Sequence, residues 1–288
     1  MAVRIFNLVS VTAICGIILL FTTLWNLQSR TGYLDLLRLS NETGVNDKTS
    51  IDIDIEDGVE ANLNATIEEA QLKSRPSFTE IGRKYGTDKV TNHHYNYMYE
   101  KYLEPMRDKP LKMLEIGLGC DMDYGPGASY HTWLEFFPNV DMYYIEYDAK
   151  CVEKWAVNVT NAKIFTGDQG DPAFLHSFVA QSGGGFDIIV DDGGHHMEQQ
   201  IHSLNILFDI VLPGGIYFCE DLGTSYDIAH GGNTPGRKSM MQMIAELLND
   251  LNTNIWLGPT QINEVASQMR SLECGEEICA FFKKELER

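Results

Sequence analysis

Positive charge is scarce in this chain. Its 22 lysines and arginines face 41 acidic residues, for a formal net charge of -19 over 288 positions. Such a surface repels nucleic acid and anionic headgroups, which argues against polyanion binding. The six cysteines never take the short paired spacing of a zinc site. No internal repeat is present. Gly117 and Gly119 form a Gly-x-Gly, but Met122 stands where a dinucleotide fingerprint needs its third glycine. The phosphate-cradling version of that turn is therefore not supported. Two local absences also matter. Charge is missing from Ile5 to Trp25, and aromatic residues are missing from Ser40 to Ala70.

These gaps divide the chain. Ile5 to Trp25 is almost continuously apolar and lies between Arg4 and Arg30. At ~1.5 Å per residue it spans ~31 Å as a helix, about one hydrocarbon core. A cleaved signal peptide is the rival, with secretion as its consequence. Its apolar region would be shorter, and no clear small-x-small site follows, so an uncleaved anchor over 1–30 is expected. Residues 31–76 read as a solvated stem, where nine acids from Glu42 to Glu69 face Lys48 alone. Residues 77–288 are long enough for one domain of ordinary composition. Sequons at Asn41, Asn64 and Asn158 suggest a glycoprotein whose catalytic part is lumenal in the endomembrane system. Cys274 and Cys279 would pair in an oxidising lumen or stay free. Cys120, Cys151 and Cys219 sit beside or within predicted core elements and read as small buried hydrophobes.

From Ser77 onward, short apolar runs alternate with helical stretches. The runs are Lys112–Ile116, Met142–Glu146, Ala162–Thr166, Phe186–Val190 and Gly215–Cys219. Between and after them come Ser129–Phe137, Ala149–Asn158, Pro172–Gln181, Gln199–Val211 and Lys238–Leu251. This alternation predicts an α/β fold with a parallel sheet covered on both faces. Asn254–Leu257 and Ile278–Phe282 read as two further β-prone segments. Each of the five runs ends in acid or glycine, at the edge where open α/β sheets bind ligands.

The candidate chemistry follows from those ends. Glycines at 117 and 119 let the backbone approach a ligand closely. Glu146 ends the second run, where a carboxylate accepts bonds from ribose hydroxyls. Asp168 ends the third, where it meets an adenine edge or caps the next helix. Asp191-Asp192-Gly193-Gly194-His195-His196 and Glu220-Asp221 end the fourth and fifth. Their carboxylates make a hard oxygen site of the kind Mg²⁺ prefers, and a nearby imidazole can take a proton. The plain alternative is an ordinary turn with helix caps. Tyr95, Tyr97, Met98, Tyr99 and Tyr102 read as core at helical spacing, and the glycine-rich 231–236 segment as a connection or a lid.

Several separated motifs carry a family resemblance. Tyr85-Gly86-Thr87-Asp88-Lys89, His93-His94-Tyr95, Tyr99-Glu100, Met113-Leu114-Glu115-Ile116-Gly117, Asp192-Gly193-Gly194-His195 and Glu220-Asp221 occur in the family's order. They resemble the macrolide deoxysugar O-methyltransferases and a group of fungal methyltransferase-like proteins, over about Ser77 to Leu251. The resemblance implies a class I methyltransferase fold, a Rossmann-like seven-stranded sheet with helices on both faces, and the apolar run from Ile5 to Trp25 adds a transmembrane helix before it. It implies S-adenosylmethionine, a Mg²⁺ ion, a hydroxylated small-molecule acceptor such as a sugar or polyol, and a homo-oligomer. Gly117, Gly119, Glu146 and Asp168 together fit a site for that cofactor, with Glu115 beside them, and the resemblance places the Gly86–Lys89 loop, with Thr87, near the cofactor and active site, the metal on Asp192, Glu220 and Asp221, and the general base at His195. Gly194 departs from the usual Asp-Gly-Ser-His pattern, and the N-terminal segments depart from the soluble bacterial enzymes. A nicotinamide oxidoreductase and a non-catalytic tethered binding module remain the alternatives.

Overall fold

Strand β1 (Leu111–Ile116) shows how the sheet is built. Leu114 and Ile116 enter one buried apolar cluster, and Met113 enters another. Successive side chains of a strand point to opposite faces, so a strand apolar on both faces must be covered twice. The computed structural model describes residues 75–123, 125–257 and 262–285, with the side chains of 254–257 excepted. The expected anchor and nearly all of the expected stem lie outside these residues. Among the described residues, no helix is long and apolar enough to cross a membrane.

The remaining strands are β2 (Val140–Glu146), β3 (Ala162–Thr166), β4 (Phe186–Asp191), β5 (Val211–Cys219), β6 (Met269–Cys274) and β7 (Cys279–Lys283). They form a seven-stranded sheet in the order β3-β2-β1-β4-β5-β7-β6. The first five are parallel, and β7 lies antiparallel between β5 and β6. On one face, α1 (Phe78–Tyr85), α2 (Asn96–Leu103) and α3 (Ala128–Phe136) supply Phe78, Tyr99 and Trp133. On the other, α5 (Pro172–Ser182), α6 (Met197–Leu207), α7 (Met240–Leu257) and the short α8 (Glu264–Gln268) supply Phe178, Leu204, Leu247 and Val265. Helix α4 (Ala149–Trp155) flanks the β2–β3 edge and buries none of its residues.

Chain order reverses at β1: β2 and β3 extend one way, β4 and β5 the other. The crevice that opens there, beyond the strands' carboxyl ends, is the binding position of such sheets. Helix α1 begins at a capping box. Ser77 Oγ accepts from the Glu80 N–H, and the Glu80 carboxylate accepts from the Ser77 N–H at 2.8 Å.

Several expectations need correction. Asn254–Leu257 is the end of α7 rather than a strand, because that helix runs on past Leu251. The helix expected over Gln199–Val211 starts at Met197 and gives way to a 3₁₀ turn over Phe208–Ile210, and Val211 already belongs to β5. Cys120 and Cys151 are not buried hydrophobes. They form a disulfide with their Cα atoms 6.0 Å apart. Cys274 and Cys279 form a second disulfide, and Cys219 is a buried free thiol.

Candidate active site

A cleft of about 570 Å³ opens at the switch point. Gly117, Gly119, Glu146 and Asp168 line one side, Asp192, His195 and Asp221 the other, and buried Thr87 closes it. Gly117 forms the floor. Its φ is +95°, and a Cβ there would collide with the Asp192 carbonyl oxygen. Only glycine holds that left-handed conformation without strain while two strand ends approach so closely. The Gly117 N–H donates to the Ile145 carbonyl at 2.8 Å, which continues the β1–β2 ladder into the turn.

Backbone groups satisfy the carboxylates on this side. Glu146 Oε2 accepts from the Leu118 N–H and Oε1 from the Asp148 N–H, both at 2.8 Å. Each oxygen keeps a further lone pair for a ligand. Asp168 accepts from the Gly170 N–H at 2.7 Å and from Gln199 Nε2 at 3.3 Å. It does not cap α5; Asp171 does, by accepting from the Ala173 N–H.

The opposite side is built from half-buried charge. Asp192, His195 and Asp221 each offer an atom within 4.8 Å of the others, as one metal ion would require. His195 Nε2 lies 3.6 Å from Asp221 Oδ2 and 3.9 Å from Asp192 Oδ1. The buried His195 Nδ1 has no hydrogen-bond partner. His195 and Asp221 have φ of +56° and +54°, unusual for residues other than glycine. Strain of that kind persists where the surrounding structure imposes it, typically at functional sites. Burial raises the Asp221 carboxyl above its ordinary range, and His195 opposes the rise.

Glu115 and Glu220 take different positions from their sequence neighbours. Neither lines the cleft. Glu115 Oε2 accepts from Ser129 Oγ at 2.8 Å and from the Tyr144 hydroxyl. Glu220 accepts from the Tyr99 hydroxyl and from Lys89. Lys89 joins them: its buried ammonium pairs with Asp192 and Glu220 and lies 3.4 Å from Glu115 Oε1. Burial alone would depress the Lys89 pKa. The Asp192, Glu220 and Glu115 charges outweigh burial and hold it well above the ordinary lysine value. Asp191 points inward, bonded by Gln169 Nε2 and the Tyr217 hydroxyl at 2.8 Å each, and burial pushes its pKa up to about 6.

Three contributors carry no individual role from sequence, although the resemblance places the Gly86–Lys89 loop near the active site. Lys89 falls in the Gly86–Lys89 loop, but nothing local marks it as buried. Gln169 bonds Asp191 and also accepts from the Gly194 N–H at 2.9 Å, which fixes the turn that presents His195. His93 reaches the cleft from the segment before α2, with Nε2 3.8 Å from Asp221 Oδ1. Tyr95, Met98 and Tyr99 are core, as the helical spacing predicts, whereas Tyr97 is exposed.

No protein-family model matches the chain. It is 31% identical to demethylmacrocin O-methyltransferase of Streptomyces fradiae over 185 residues, 62% of this chain and 45% of that enzyme. It is 32% identical to mycinamicin VI 2''-O-methyltransferase of Micromonospora griseorubida over 161 residues, 55% of this chain and 39% of that enzyme. The chain thus spans about half the length, or less, of the curated relatives it matches. Among solved structures it resembles the MycE methyltransferase of the mycinamycin biosynthetic pathway, in complex with Mg, SAH and mycinamycin VI. The TM-score is 0.65 at 26% identity, covering 74% of this chain and 54% of that one. The seven-stranded sheet is accordingly of the class I methyltransferase fold.

Proposed function

We propose that this chain, a relative of the macrolide deoxysugar O-methyltransferases, transfers a methyl group from S-adenosylmethionine to a hydroxyl of a sugar, polyol or glycosylated small molecule, assisted by Mg²⁺. One observation carries the reading. His195 converges with Asp192 and Asp221 at the mouth of a glycine-floored cleft whose other wall presents Glu146 and Asp168.

The residues fit both groups. Gly117 and Gly119 allow close approach of the cofactor, Glu146 keeps lone pairs for ribose hydroxyls, and Asp168 and Thr87 border the same space. Glu115 supports this wall from behind. Asp192 and Asp221 would supply hard oxygen donors to a Mg²⁺ ion, whereas Glu220, the third carboxylate expected from sequence, is turned away from the cleft onto Lys89 and Tyr99. When bound, the sulfonium supplies an electrophilic methyl, and the ion lowers the pKa of the acceptor hydroxyl.

His195 takes the hydroxyl proton at Nε2, and Asp221 and Asp192 stabilise the resulting imidazolium from 3.6 and 3.9 Å. Thr87 and the Gly117–Gly119 turn line the same cleft. His195→Ala should lower methyl transfer to a panel of glycosides by about 10²–10⁴-fold and leave S-adenosylmethionine affinity unchanged. Undiminished transfer by this variant would remove the base from His195.

The same proposal places the domain in an oxidising lumen, with Ile5–Trp25 as its membrane anchor. The two disulfides and the exposed Asn158 sequon support that placement. An N-glycan at Asn158 in cells would agree with it; an unglycosylated chain reached only from the cytosol would not.

A further inference from the structure

Among the described residues, few backbone bonds hold the wall between Gly119 and Gly127: the short turns Met122 N–H to the Gly119 carbonyl and Gly125 N–H to the Met122 carbonyl, and the closing bond from the Gly127 N–H to the Leu118 carbonyl at 3.3 Å. The facing wall is equally weak. Helix α4 buries none of its residues, and β3 beside it has no fully buried position. Apolar burial normally fixes such elements, and here it is partial on both: Cys120 on one and Ala162, Ile164 and Phe165 on the other pack against the core half-buried.

The Cys120–Cys151 disulfide supplements it. Cys120 and Asp148 both line the cleft. The bond completes a ring of contacts around Glu146. The Glu146 carboxylate accepts from the Leu118 and Asp148 N–H groups. The Asp148 carboxylate accepts from the Cys151 N–H at 3.2 Å. Cys151 is bonded to Cys120, two residues beyond Leu118. The disulfide is the one link of this ring that is neither a hydrogen bond nor main chain.

We propose that the Cys120–Cys151 disulfide is a positioning element of the cofactor cleft, which sets the spacing of its two walls and thereby the affinity for S-adenosylmethionine. The inference rests on the methyltransferase reading above. It also makes cofactor binding sensitive to redox state. An external dithiol supplies two electrons and two protons, the S–S bond breaks to two thiols, and the reductant leaves as its own disulfide. The walls then separate at little cost in buried apolar surface, and the cofactor must order them on binding. Pre-organisation of that kind is a large part of affinity.

The test uses the full chain and S-adenosylhomocysteine as the probe in isothermal titration. A Cys274→Ser/Cys279→Ser background leaves Cys120–Cys151 as the only disulfide among the described residues. In that background, mild reduction with dithiothreitol should weaken binding by about tenfold, and reoxidation should restore it. A Cys120→Ser/Cys151→Ser variant should raise the KM for S-adenosylmethionine by the same factor and leave kcat at saturation within about twofold. A purely structural staple would instead lower the fraction of active protein and leave KM alone. If the serine variant does not fold, the reduction titration decides. Equal affinity in the oxidised and reduced states would overturn the inference and spare the methyltransferase reading. No binding by the oxidised chain would overturn both.

Discussion

The two halves of the cleft satisfy their carboxylates by different means. On the β2–β3 side, backbone N–H groups bond Glu146 and Asp168. On the β4–β5 side, Glu220 and Asp192 depend on one buried lysine, and Glu220 also on a tyrosine hydroxyl. The difference follows from what each half must do. A cofactor site needs a fixed shape, which backbone donors provide whatever side chains surround them. A site for a divalent ion needs surplus negative charge held close, and that charge is costly when buried unless cations compensate it. Lys89 offsets part of the cost and leaves Asp192 and Asp221 facing the cleft.

The largest effect expected from breaking this contrast is at Lys89. Lys89→Met leaves Glu220 and Glu115 buried without their cation, at about 3–5 kcal/mol. Chemical denaturation should show the loss, and adding Glu220→Gln should recover part of it. Additive losses in the double variant would mean that the pair is not coupled.

A smaller effect separates the halves by pH. The pKa of Asp191 rises from its ordinary 3.8 to about 6 through burial. The folded state therefore holds a proton that the unfolded state releases. This stabilisation is fully present below about 3.8 and is lost as pH rises through about 6, to at most about 3 kcal/mol. Asp191→Asn should flatten the decline in stability between pH 4 and 7. A variant that declined as steeply as the parent chain would assign the pH dependence to other groups.

The smallest effect probes the backbone-built half. Gly117→Ala places a Cβ against the Asp192 carbonyl in a left-handed conformation. S-adenosylmethionine affinity should fall by about tenfold, consistent with strain on the order of 1–3 kcal/mol. Tight binding by a folded variant would show that the turn relaxes, and that its glycine is not what shapes the floor.

The sequence made one half of this contrast more readable than the other. Five short apolar runs ending in acid or glycine mark β1 to β5, because strand length and terminal chemistry are local properties. Strand β6 was not readable: Arg270, Ser271 and Glu273 interrupt its apolar content, as suits a half-exposed edge strand. Asn254–Leu257 has β-prone residues, yet the helix that precedes it continues through them. Asp192, His195 and Asp221 come together as their strand ends suggest. Glu115 and Glu220 face inward because Lys89 arrives from the segment before α2. That segment lies 131 positions from Glu220, a separation no local pattern encodes. The Cys120–Cys151 bond was hidden for the same reason. Its partners are 31 residues apart, one in the loop after β1 and one in α4, and each alone looks like a small core residue.

The most direct test of the account is isothermal titration of the full chain with S-adenosylmethionine, with and without Mg²⁺. Micromolar binding in both conditions is the predicted result, because Glu146 and Asp168 are held by backbone N–H groups and not by the acidic cluster. A folded chain that binds no S-adenosylmethionine in either condition would contradict the methyltransferase reading itself.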